Sequence, residues 1–85
     1  MKDRAKKEID RLSEIFDKIE VYDQKKAKEF YDFAKNYFDD SKYFFKKGKY
    51  AESFEATIIA WAYLDSGLKM DFFKVPKNLK KHFTV

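Results

Sequence analysis

Eighty-five residues allow one domain, near the low end of what folds without staples or partners. No cysteine is present, which excludes a disulfide framework and any thiolate metal site, and two Gly and one Pro leave little room for long loops. Nineteen basic against 15 acidic residues give a net charge of +4, and the excess is local. Residues 1–68 sum to zero, whereas residues 69–85 hold five Lys against one Asp.

Stability must therefore come from packing, and ten Phe, six Tyr and one Trp supply the apolar area. No apolar run approaches the roughly 20 residues needed to span a bilayer. The charged opening from Met1 to Glu8 does not resemble a signal peptide. The expectation is an all-α cytoplasmic protein without a membrane segment: a three-helix up-and-down bundle with a short basic C-terminal tail.

The first helix is expected over about residues 3–20, where Ala5, Ile9, Leu12, Phe16 and Ile19 keep the three-four spacing of a narrow apolar seam. Charges of both signs fill its other faces and cancel, which marks a solvated surface. A boundary follows at Val21 to Gln24, with Asp23 as the expected N-cap and one longer, bent helix through this region as the alternative.

The second helix is expected over about residues 24–47. Ala27, Phe30, Tyr31, Ala34, Tyr37, Phe38, Ser41, Phe44 and Phe45 cover an arc of about 140° at about 100° per residue, with Lys and Asp opposite. Aromatics and lysines on separate faces point to core packing rather than base stacking, and Tyr43 falls off the arc. Lys46-Lys47-Gly48 is a strong stop, with a left-handed C′ glycine after basic residues.

The third helix, about residues 50–70, is uncharged from Ala56 to Leu64 in a chain that is 40% charged. A large stripe (Ala51, Phe54, Ile58, Trp61, Asp65, Leu68) lies opposite a small one (Ser53, Ala56, Ala60, Gly67). Helices apolar on most sides bury more than one face, so two neighbours are expected, and Gly67 implies a close neighbour that excludes a side chain. Ile59, Tyr63 and Met70 are left on a third edge that the tail or another molecule must cover.

The tail spans residues 71–85, and Pro76 bars a continuous helix across the join. Phe72, Phe73, Val75, Leu79 and Phe83 can fold back over the bundle or dock on a partner.

Three runs carry a family likeness. They are Tyr37-Phe38-Asp39-Asp40-Ser41-Lys42-Tyr43-Phe44, Lys47-Gly48-Lys49-Tyr50-Ala51-Glu52-Ser53-Phe54 and Trp61-Ala62-Tyr63-Leu64-Asp65-Ser66-Gly67-Leu68. Over about residues 30–75 the chain resembles an archaeal domain-of-unknown-function family, number three-five-seven. Members often have Ala at the positions of Ser41 and Ser53. The resemblance implies a helical bundle in an archaeal cytoplasm and brings no activity with it. The Gly48-Lys49-Tyr50-Ala51 turn is also similar to one tetratricopeptide pair, but no second copy exists, which excludes a solenoid.

Enzymatic chemistry has no constellation behind it. Asp65, in the apolar stripe, is expected to be a buried carboxylate held by a tyrosine hydroxyl such as Tyr37 or by a Lys. Asp39-Asp40 point about 100° apart on a helix and lack further ligands, and His82 stands alone in a basic tail as an exposed residue. No cofactor, metal or small-molecule substrate is expected. The first functional reading is an interaction module, binding another protein or itself as a homodimer through Ile59, Tyr63, Met70, Phe72 and Phe73. The alternative is nucleic-acid or ribosome binding through Lys74, Lys77, Lys80 and Lys81.

Overall fold

Charged but strongly patterned segments give the long elements: α1 (Lys2–Lys18), α2 (Lys25–Lys46) and α3 (Tyr50–Lys69). Two-residue strands, β1 (Glu20–Val21) and β2 (Phe73–Lys74), and a 3-10 helix (Lys77–His82) complete the chain. The computed structural model describes residues 1–83, so the last two residues of the expected tail lie outside the described residues. The all-α expectation holds, with the short ribbon as an addition.

α1 buries Ala5, Ile9, Leu12 and Ile15, and Phe16 stacks on Phe38 of α2 at 4.9 Å. The helix ends two residues before the expected boundary because Ile19 turns to extended backbone. Glu20 and Val21 then pair antiparallel with Lys74 and Phe73, and the Tyr22 N–H donates to the Phe72 carbonyl at 3.0 Å. Asp23 does not cap α2. Gln24 occupies the cap position without a side-chain bond, and Asp23 instead pairs with Lys28 Nζ at 2.9 Å. The hydrogen bond from Lys28, then its charge, holds the Asp23 carboxyl below its ordinary range.

α2 keeps all nine arc residues at least half-buried, with Ala27, Ala34, Phe38 and Ser41 fully so. It ends as the sequence indicates. Gly48 takes φ 74°, its N–H donates to Phe45 at 3.0 Å, and the Lys49 N–H reaches back to Phe44 at 2.9 Å. These two bonds form a Schellman cap.

α3 follows at once and buries its small side: Ser53, Ala56, Thr57, Ala60, Leu64 and Gly67. Short side chains let it lie close to α2, close enough for the Ser53 hydroxyl to donate to the Ser41 carbonyl at 2.7 Å. Its large stripe runs beside α1. The Arg4 guanidinium sits 5.4 Å from the Phe54 ring centre, and Trp61 Nε1 donates to Glu8 at 3.0 Å. Ile58 departs from the expected stripe and is 50% exposed, because α1 reaches only the edge of the stripe that carries Phe54 and Trp61.

The end of α3 repeats the cap of α2 with a different residue. Asp71 takes φ 59°, its N–H bonds to Leu68 at 3.2 Å, and the Phe72 N–H bonds to Gly67 at 2.8 Å. This second Schellman turn reverses the chain and drives the following aromatics under the bundle. Phe72 and Phe73, expected as interface residues, are core at 6% and 3% exposure. A Cβ on Gly67 would overlap the Phe73 ring, so the close neighbour inferred from that glycine comes from the tail. Val75 and Leu79 are buried with them and join Leu12, Ile15, Phe38 and Leu64 in one core cluster.

Candidate interaction surface

With the tail tucked beneath α3, its two flanks differ. On the flank toward α1, Trp61 packs edge-on against Phe83 with ring centres 5.3 Å apart and lies 6.4 Å from the His82 ring. His82, expected to be exposed, is half-buried there, with Nε2 4.0 Å from a Glu14 carboxylate oxygen. An open cleft of about 310 Å³ remains between Ile58, Trp61, Ala62, Asp65 and His82. Asp65 sits at this rim half-buried rather than buried. Its Oδ2 is 3.3 Å from Lys69 Nζ, one turn further along α3. The expected alternative, Tyr37, belongs to the far flank.

On that far flank Tyr63 is half-buried in an aromatic row from α2. Its ring stacks on Phe33 at 5.2 Å and on Tyr37 at 6.0 Å, and meets Phe30 edge-on at 5.7 Å. Ile59 is 39% and Met70 57% exposed on either side of it along α3. The tail meets this flank where Phe72 packs edge-on against Phe30, 5.2 Å between ring centres. Ile59, Tyr63 and Met70 lie along this flank of α3, while Phe72 and Phe73 are buried in the core.

Between the flanks runs the outer face of α3, formed by Glu55, Ile58, Ile59, Ala62, Ser66, Lys69 and Met70, all exposed. Of the apolar residues of this face, Ile58 and Ala62, like the adjoining Phe33, had no place in the expected interface. Phe33 is 49% exposed. The signal for Ile58 was present in the charge-free run from Ala56 to Leu64, but the stripe assignment placed it inward.

The basic segment is anchored, not loose. Lys74, Lys77, Lys80 and Lys81 are all exposed, while buried Leu79 fixes the backbone that carries them. Lys74 and Lys80 line a second cleft, of about 510 Å³, with Tyr22, Lys69 and Asp71. Lys77 and Lys81 are not among its lining residues. Among the described residues, no three acidic or histidine side chains gather closely enough to hold a metal ion. No described helix is long and apolar enough to cross a membrane.

A family model described as a protein of unknown function (DUF357) matches residues 3–73. The chain belongs to the DUF357 family. The match takes in α1, which lies outside the segment whose motifs carried the likeness, and it runs to Phe73. Among solved structures, the DUF357 protein AF1782 from Archaeoglobus fulgidus is similar with a TM-score of 0.76 and 28% identity, over 88% of this chain and 92% of that one. The comparison with curated proteins gave no match. DUF357 members are thus related here by fold and sequence, and the family description carries no activity.

Proposed function

We propose that this DUF357 protein is a non-enzymatic protein–protein interaction module. Three long helices serve as the scaffold, and the outer face of α3 with the adjoining α2 aromatics serves as the contact surface. One observation carries the reading. In a chain that is 40% charged, α3 turns outward a strip with no charge between Glu55 and Lys69 on which Ile58 is 50% and Ile59 39% exposed, with Met70, 57% exposed, just beyond it. An exposed apolar strip of this length costs solubility and is the usual mark of a contact surface. The tail could have covered it and instead packs under Gly67 and beside Trp61.

A photo-crosslinking amino acid placed at Ile59, and in a control at exposed Lys7, tests this in the native cells. Discrete protein adducts are expected from position 59 and not from position 7, and Ala62→Arg is expected to abolish them. Equal labelling at both positions would reject the reading.

A second reading, nucleic-acid binding, draws on the four exposed lysines of the anchored basic segment. Four phosphate contacts on a single strand predict a slope of log affinity against log salt of roughly −3. Replacing Lys77, Lys80 and Lys81 by Ala would then flatten the slope, and salt-independent binding would reject it.

A further inference from the structure

We infer that the molecule covering the outer face of α3 is a second copy of this chain, paired antiparallel about a two-fold axis at Ala62. The inference rests on the reading of that face as a contact surface and names its partner.

Charge along α3 is polar. Glu52 and Glu55 lie toward its start, no basic residue occurs from 51 to 68, and Lys69 closes its last turn. Glu55 and Lys69 each stand seven residues from Ala62, about 10 Å along the axis at about 1.5 Å per residue. Seven residues fall within about 20° of two full turns, so the three positions share one line. A parallel pairing would set Glu55 against Glu55 and Lys69 against Lys69. An antiparallel pairing about Ala62 sets Glu55 against Lys69 of the partner subunit, twice by symmetry.

Two further observations support this arrangement. Among the described residues Glu55 forms no ion pair of its own, and Lys69, though held by Asp65, keeps an exposed amine. At the centre, Ala62 and Ser66 are small, which lets two helices approach to about 8–10 Å between axes, while Ile58 and Ile59 supply the apolar contact on each side. From Glu55 to Met70 the face spans about 22 Å at about 1.5 Å per residue. One pair of helices over that length makes a small contact for a specific interface, so a dimer dissociating in the micromolar range is expected.

Sedimentation equilibrium from low micromolar to near-millimolar chain concentration tests the register. Glu55→Lys and Lys69→Glu each place like charges opposite one another twice, and each is expected to weaken dimerisation about tenfold, a change of about 1.4 kcal/mol. Mixed one to one, the two variants form heterodimers with all charges matched, restoring the wild-type affinity. Thermal melting of each variant checks folding, since Lys69→Glu also removes the partner of Asp65. A wild type that stays monomeric overturns the second-copy inference, and adducts from position 59 of a mass other than the dimer would still uphold the contact surface. A dimer indifferent to both reversals, or a mixture no tighter than its components, overturns the Ala62 register.

Discussion

The two flanks of α3 are built from similar materials and finished differently. Toward α1 and the tail, Trp61 meets His82 and Phe83, and beneath the helix Gly67 meets Phe73, all from their own chain. Toward the aromatics of α2, Tyr63 finds ring partners, but Ile59 and Met70 beside it stay 39% and 57% exposed. Side-chain type does not separate the flanks. The direction in which the chain turns after Lys69 does: with Asp71 in the left-handed region the chain reverses, Phe73 packs under Gly67 and Phe83 against Trp61, and Phe72 meets Phe30.

The closed flank should break first and hardest. Phe73→Ala removes a buried ring and is expected to cost about 3–5 kcal/mol, a large share of the roughly 5–15 kcal/mol typical of a domain. Urea unfolding measures it, and a loss under about 1 kcal/mol would place Phe73 outside the core. Gly67→Ala comes next. It gains about 1 kcal/mol of helix propensity but forces the Phe73 ring aside at roughly 1–3 kcal/mol, for a net loss of up to about 2 kcal/mol in the same assay. In a Phe73→Ala background the clash is gone, so the same substitution should become neutral or stabilising. A double-mutant cycle reads that reversal directly.

The turn that separates the flanks offers a smaller effect with the opposite sign. Asp71→Gly relieves a non-glycine residue at positive φ, and the extra freedom of glycine when unfolded offsets part of the gain. A stabilisation below about 1 kcal/mol is expected, visible as a rise of a few degrees in Tm. The open flank should barely respond. Ile59→Lys is expected to change stability by no more than about 0.5 kcal/mol at concentrations where the chain is monomeric. A larger loss would mean that Ile59 is held within its own molecule.

Much of this contrast was legible in the residues. The Gly48 stop, the inward arc of α2 and the edge of Ile59, Tyr63 and Met70 follow from helical spacing and from the conformational freedom of one glycine. Gly67 announced a close neighbour, but nothing local identified it as Phe73, because the contact is made across a chain reversal. The two-residue ribbon gave no signal either, since two residues are too few to carry an alternating pattern. Asp65 and Ile58 were placed too deep for one reason. On a helix apolar nearly all round, periodicity says that faces are buried without ranking them, and closeness of approach gives the ranking to the small side chains.

Taken alone, the sequence determined three long helices, their order, the hairpin at Gly48 and the charge polarity that runs along α3 into the basic segment. Those properties are set residue by residue, through propensity, capping and spacing. Only the tertiary structure decided which flank of α3 the tail would cover, since Phe72 and Phe73 would be equally apolar against either. That choice depends on the hand of the turn at Asp71, the pairing of β1 with β2 and the space beside Gly67, three contacts that exist only once the chain has folded back on itself.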